Sequence, residues 1–299
     1  MSRIPLFEKI PDALQVMTGA VLISFSGVYV KLSQTGPTTS GFYRVFFGGI
    51  ILLLISLISK QPSVKSLKAG FLFFPAGFFF ALDLFTWHKS IHYTGPGLAT
   101  ILANFQVFFL AFIGIIFMGE RVNIKLILTI PIAVLGLFMV VGIEWDILDA
   151  DYKKGVLLGL ATAICYTGYI LTLRKLQSLD DSPSPIFTLA MVSFITAIIL
   201  AGFAWLQGEP LRIPDLESAF YLILYAAFSQ VLGWLFIING LASIRTSMAG
   251  LLLLLQPSLA FVWDVLFFDK VTTAVSLTGT LITLGAIYLG STSRAESGS

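Results

Sequence analysis

The sequence predicts an all-α integral membrane protein of ten transmembrane helices, arranged as two inverted five-helix repeats. Three observations carry that expectation. Only 11% of the 299 residues are charged while 57% are hydrophobic. Apolar runs of bilayer length follow one another along nearly the whole chain. The first half of the chain can also be laid over the second.

A soluble domain carries roughly 25% charged residues because water must wet its surface. This chain has less than half of that, so lipid is the solvent its outside requires. A spanning helix needs about 20 predominantly apolar residues. Ten such runs are legible, at 13–32, 38–59, 69–91, 95–118, 124–142, 154–173, 185–206, 218–240, 246–267 and 273–291. The polar breaks between them are short and leave no room for a soluble domain. A membrane β-barrel would show alternating ten-residue segments, and runs such as Gly49–Ile58 do not alternate. The first twelve residues are mixed polar and lead into a full-length apolar run. A cleavable signal has a shorter apolar core ending at a small-residue site, so the first helix is expected to stay. The single cysteine, Cys165, lies inside an apolar run and reads as a small hydrophobe. A net charge of +2 gives no electrostatic footprint for nucleic acid.

Basic residues in short loops set orientation. With the N-terminus in the cytoplasm, eleven lysines and arginines fall on that side, among them Lys60, Lys65, Lys68, Arg121, Arg174, Lys175 and Arg245. Seven fall on the other side: Lys31, Arg44, Lys89, Lys153, Lys154, Arg212 and Lys270. The balance predicts a multi-pass protein of the cell (inner) membrane with both termini cytoplasmic, which an even helix count allows.

Shifted by 150 residues, Ile91–Val122 lies over Leu241–Thr272 without a gap, placing Ala99 on Ala249, Leu102 on Leu252, Gln106 on Gln256 and Phe117 on Phe267. At a shift of 141, Ser24-Phe25-Ser26-Gly27 lies over Cys165-Tyr166-Thr167-Gly168. Two matches in the same order define a repeat of five helices. The expected division is 1–143 for the first repeat, 144–152 for an acidic linker, 153–293 for the second repeat and 294–299 for a polar tail. Five is odd, so the second copy enters the membrane from the opposite side. Inverted repeats of this kind build many secondary transporters, because two near-equivalent halves can rock about a central site.

Ten helices in two halves, Gly119-Glu120-Arg121 closing the fourth helix, Arg44 early in the second and Gln256-Pro257 in the ninth together resemble the drug/metabolite transporter superfamily, EamA type. The chain departs from that pattern at Val107, where the first half lacks the matching proline, and at Asp269-Lys270, which stands in place of Gly-Glu. The resemblance implies export or exchange of amino acids, metabolites or drug-like compounds without ATP and without a cofactor.

Polar groups inside a membrane tend to face a water-filled cavity or a partner. Asp83, mid-helix in Ala81-Leu82-Asp83-Leu84-Phe85, reads either as a ligand for a substrate ammonium or a coupling proton, or as the partner of a group such as Lys89. Trp87 lies one turn on and shares its face. Gln230 and Trp234 repeat that spacing in the eighth helix. An indole can stack on a substrate or hold a cation, although Trp is also a residue of membrane interfaces. Asn104 and Gln106 sit about 200° apart on a helix, so the two are not expected to face one cavity. Gln106 and Gln256 are repeat equivalents, and interhelical bonding competes with substrate binding as their role. Trp263 lies seven residues beyond Gln256 and shares its face, whereas the next residue, Asp264, points about 100° away. Tyr166 and Tyr169, with Ser24 and Ser26, line a cavity on one reading and pack the core on the other. Arg44 either snorkels to the interface or binds a substrate carboxylate. His88, beside Lys89, reads as interfacial. Gly48, Gly49, Gly77, Gly136, Gly159, Gly279 and Gly285 read as close helix contacts, and Pro75, Pro131 and Pro257 as kinks, Pro257 being the expected hinge.

Other classes fit less well. Membrane-embedded hydrolysis needs a nucleophile with its base, or a metal cluster, and neither a Gly-x-Ser-x-Gly triad set nor His-Glu-x-x-His is present. Two histidines with little acidic support make no metal site. No glycine-rich filter suggests a channel, and no Walker motif suggests an ATP-driven pump. The expected partners are a small-molecule substrate, the lipid bilayer and possible coupling protons. A multidrug or cation exporter of the same fold stands as the alternative to an amino-acid exporter.

Overall fold

The computed structural model describes residues 10–59, 67–118, 124–141, 148–179, 183–241, 252–253 and 255–296. Among these residues the chain forms ten helices in sequence order. They are α1 (Asp12–Leu32, interrupted at Phe25), α2 (Pro37–Ile58), α3 (Leu67–Thr94) and α4, in two pieces (Pro96–Ala103 and Gln106–Met118). Then come α5 (Ile124–Val141), α6 (Ala150–Gln177) and α7 (Pro185–Gln207). Helix α8 runs as an α segment (Leu216–Leu224), a π-helical stretch (Tyr225–Gly233) and a second α segment (Trp234–Leu241). Last are α9 (Leu255–Phe268) and α10 (Ala274–Glu296). Seven of the ten are long and apolar enough to cross a membrane, and those containing Leu128–Val140, Leu255–Phe268 and Ala274–Leu289 are shorter apolar helices.

Local chemistry marks the helix ends. Proline opens α2, α4 and α7, where its missing N–H is no loss. Ser184, Asp149 and Asp215 accept hydrogen bonds from first-turn amides of α7, α6 and α8. Hydrogen bonds from Ser218 hold the exposed Asp215 carboxyl below the usual carboxylate range. Asp149 and Asp151 thus belong to the start of α6, at the edge of the acidic stretch read as a linker. Helices α3 and α5 run on through Pro75 and Pro131.

The packing has the two-fold pattern that an inverted repeat requires. Helix α1 packs on α8, and their repeat equivalents, α6 and α3, pack on each other. Helices α2 and α7, α4 and α9, and α5 and α10 meet their own equivalents. At the α5–α10 contact the relation is visible atom by atom. A Cβ on Gly136 would lie 2.7 Å from the Gly279 carbonyl oxygen, and one on Gly279 would lie 2.6 Å from that of Gly136. Only glycine allows this approach. A Cβ on Gly285 would meet nothing within 4 Å among the described residues, so no close helix contact is seen there, which corrects the sequence reading.

Candidate substrate cavity

A cavity of about 410 Å³ lies between the halves. Its wall draws on α1 (Ser24, Ser26), α2 (Arg44), α3 (Phe80, Asp83, Trp87), α4 (Thr100, Asn104, Gln106), α6 (Thr162, Tyr166, Arg174), α8 (Trp234, Ile237) and α9 (Gln256, Ala260). Of the residues singled out from sequence, Asp83, Trp87, Asn104, Tyr166, Trp234 and Gln256 line it. Gln230, Tyr169 and Trp263 do not.

The three outliers have structural partners. Tyr169 is buried and stacks on Phe80 at 4.5 Å, one layer behind the wall. Trp263 donates its indole N–H to Ser24 Oγ at 2.9 Å and stacks on Phe25 at 4.5 Å. Gln230 is buried and serves Arg44, as described below. The expectation that Gln230 and Trp234 share a face fails for a physical reason. Gln230 is turned onto Arg44 and Ser193, whereas Trp234, which opens the α segment after the π-helical stretch, lines the cavity. Pro257 is buried in the first turn of α9. The Gly119-Glu120-Arg121 turn and Ala249 lie outside the described residues.

Asn104 and Gln106 both reach the cavity, against the expectation for a continuous helix. Helix α4 breaks at Asn104-Phe105, and the Asn104 side chain donates to Thr100 O at 2.8 Å in closing the first piece. The break resets the phase, so residues two apart face one space. Gln106 Oε1 is buried without a hydrogen-bond partner among the described residues, and Ser26 Oγ likewise. Neither Gln106 nor Gln256 bonds the other across the halves among those residues.

Arg44 is 6% exposed. It does not snorkel. Its Nε donates to Gln230 Oε1 at 2.9 Å and its Nη1 to the Tyr225 hydroxyl at 3.0 Å. Tyr225 in turn meets His88 Nε2 at 3.1 Å, and His88 Nδ1 meets Leu84 O at 2.6 Å. Hydrogen-bond chemistry fixes the directions. A carbonyl oxygen only accepts, so Nδ1 carries the proton and Nε2 of the neutral ring accepts. Tyr225 therefore donates to His88, leaving its oxygen lone pairs for Arg44. Gln230 completes the set, its Nε2 donating to Ser193 Oγ at 3.1 Å. His88 is fully buried in this network and is not interfacial.

Asp83, 7% exposed, has a different environment. No described residue forms a hydrogen bond or ion pair with its carboxylate. Lys89, the partner considered from sequence, instead donates to Gln207 Oε1 and lies 4.4 Å from the Phe85 ring centre.

The contacts also distinguish the two ends of the cavity. Glu209, after α7, accepts from the Thr39 amide at the start of α2 at 2.7 Å. Asp264 on α9 accepts from the Gly97 amide at 3.2 Å and pairs with Lys270 at 3.0 Å. Ser90 Oγ donates to Gly155 O at 2.8 Å. These contacts join the ends of α3, α7 and α9 to the starts of α2, α4 and α6, so they share the face away from the termini. The lining instead reaches Arg174 and Ile237 toward the termini-bearing face.

Comparison with known sequences decides the family. The sequence pattern of the EamA-like transporter family matches residues 12–142 and again 153–292. The chain belongs to the EamA-like transporter family. It is similar to the "Uncharacterized transporter YdfC" of Bacillus subtilis, 23% identical over 91% of this chain and 87% of that one. It is also similar to the pseudopaline exporter CntI of Pseudomonas aeruginosa, 24% identical over 92% and 95%. One solved crystal structure superposes with a TM-score of 0.66 at 14% identity, over 93% of this chain and 97% of that one. This likeness supports the fold alone. The EamA-like protein is thus a multi-pass membrane transporter, not an enzyme.

Proposed function

We propose that this EamA-like protein is a secondary exporter of small zwitterions, amino acids or their close relatives, working by alternating access about the cavity. The observation that carries the reading is the presence in one cavity lining of Arg44 and Asp83, two buried groups of opposite charge that are not bonded to each other. A guanidinium binds a carboxylate through paired N–H donors. Two of the five N–H groups of Arg44 are engaged by Gln230 and Tyr225, leaving donors for a ligand. The Asp83 carboxylate receives the substrate ammonium, or a proton when the site is empty. Trp87, Tyr166 and Trp234 take the apolar part of the molecule, Asn104 and Gln256 offer amides, and Pro257 acts as the hinge of α9. Tyr169, Gln230 and Trp263 support the wall from behind. The protein sits in the cell membrane with both termini cytoplasmic. Similarity to a protein named as an exporter supports the direction of transport.

A cation exporter is the second reading, favoured by an Asp83 carboxylate that has no hydrogen-bond or ion-pair partner among the described residues and lies among aromatic rings, since ring faces attract cations. One experiment separates the two. Labelled amino acids are offered to proteoliposomes, with and without a pH gradient, against unlabelled competitors. The zwitterion reading expects saturable uptake that is competed by amino acids and only weakly by their carboxamides or N-acetyl derivatives. Competition by carboxamides and organic amines as strong as by the parent amino acids would establish the cation reading instead. Absence of saturable amino-acid uptake would sink the proposal.

A further inference from the structure

The Arg44 network bears on why α8 is wound as a π-helix just before the residues it gives to the cavity wall. Tyr225 and Gln230 both accept hydrogen bonds from the same guanidinium, and they are five residues apart. On an α-helix such residues lie about 140° apart and cannot converge on one group. In a π-helix, bonded i→i+5, residues five apart come round to nearly the same face. The π-helical stretch begins at Tyr225 and contains Gln230. Its winding therefore places the two acceptors together.

The surroundings favour the same arrangement. A Cβ on Gly48 would lie 2.4 Å from Gln230 Cγ, so α2 presents bare backbone where the Gln230 stem crosses it. Ser193 accepts from the Gln230 amide nitrogen and so keeps its oxygen toward Arg44. His88 keeps the Tyr225 hydroxyl hydrogen turned away from Arg44. The Arg44 Cζ is also 5.1 Å from the Tyr225 ring centre. Every partner is neutral, so the guanidinium keeps its full charge for a ligand. A carboxylate partner in place of Gln230 would neutralise it.

We infer that the π-helical stretch of α8 is a specificity device, in which Tyr225 and Gln230 are positioning residues that aim Arg44 at a substrate carboxylate. The inference rests on the proposed role of Arg44 in binding that carboxylate. Both positioning residues belong to the second repeat and Arg44 to the first, so the binding group is also a link between the halves.

The test measures affinities of purified protein for an amino acid and for its carboxamide, by competition against a labelled substrate, in the wild type, Tyr225→Phe and Gln230→Glu. The carboxylate-over-amide preference is the readout, because a fold defect would weaken both ligands alike. Tyr225→Phe keeps the ring and removes the acceptor. It is expected to lower the preference about tenfold, as loss of one hydrogen bond to a charged group does. Gln230→Glu keeps the shape, places a carboxylate on Arg44 and is expected to abolish the preference. An unchanged preference in both variants would overturn the inference while leaving the carboxylate reading intact. A wild type that shows no preference would overturn the carboxylate reading, and this inference with it.

Discussion

Arg44 on α2 and Asp83 on α3 bring opposite charges into one cavity, but the protein holds them in opposite ways. The guanidinium is held by Gln230 and Tyr225, which are themselves held by Ser193 and His88. The carboxylate has no hydrogen-bond or ion-pair partner among the described residues. A bonded group is fixed in place and direction before a ligand arrives, and such preorganisation lowers the ordering cost of binding. An unbonded one can adjust to ligands of different length, or take up a proton. On the proposed reading, Arg44 sets what is recognised and Asp83 sets how tolerantly.

Four substitutions probe that contrast, in order of expected effect. Arg44→Gln removes the fixed wall altogether and leaves two buried acceptors without their donor. Competition assays in proteoliposomes should show about a 100-fold loss of affinity for carboxylate substrates, near the upper end for a charged hydrogen-bond pair. Retention of wild-type affinity would place the carboxylate elsewhere. Asp83→Asn should weaken ammonium-bearing substrates about tenfold and remove any response to an imposed pH gradient, while affinity for deaminated analogues is unchanged. Equal losses for both ligand sets would show that Asp83 is as rigidly structural as Arg44, erasing the contrast. Gly48→Ala presses on the Gln230 stem and should lower stability by about 1–3 kcal/mol, as overpacking does. A thermal unfolding assay in detergent should show this destabilisation. An undiminished melting temperature would mean that Gln230 is held less tightly than its contacts imply. Trp87→Phe trims the aromatic wall beside Asp83 and should cost about threefold in affinity, the scale of a weakened cation–ring contact. A much larger loss would make Trp87 a fixed anchor.

How far the sequence disclosed this arrangement depends on what each feature requires. Ten helices and the inverted repeat were legible because bilayer thickness sets helix length and an odd number of helices per repeat sets inversion. Asp83 stood out because a carboxylate is costly mid-membrane. Arg44 was ambiguous, since a snorkelling arginine and a buried one look alike until their neighbours are known. Tyr225 was missed, because a tyrosine in an apolar run reads as packing. His88 was misplaced, because its proximity to Lys89 in sequence said nothing of Tyr225 across the interface. Two backbone features were invisible. The α4 break at Asn104-Phe105 has neither glycine nor proline to announce it, and the π winding of α8 changes phase without changing composition. Each altered which side chains share a face. The α4 break accounts for the error of facing at Gln106, and the π winding for the unforeseen convergence of Tyr225 and Gln230 on Arg44.

The contacts at the face away from the termini bear on the order of events during transport. Glu209 with Thr39, and Asp264 with Gly97 and Lys270, fasten that face, whereas the cavity lining extends the other way. A blocker added from the face away from the termini would have to wait for those contacts to part before it met Arg44 and Asp83, and its onset would follow the protein's own opening rate, not the dose applied.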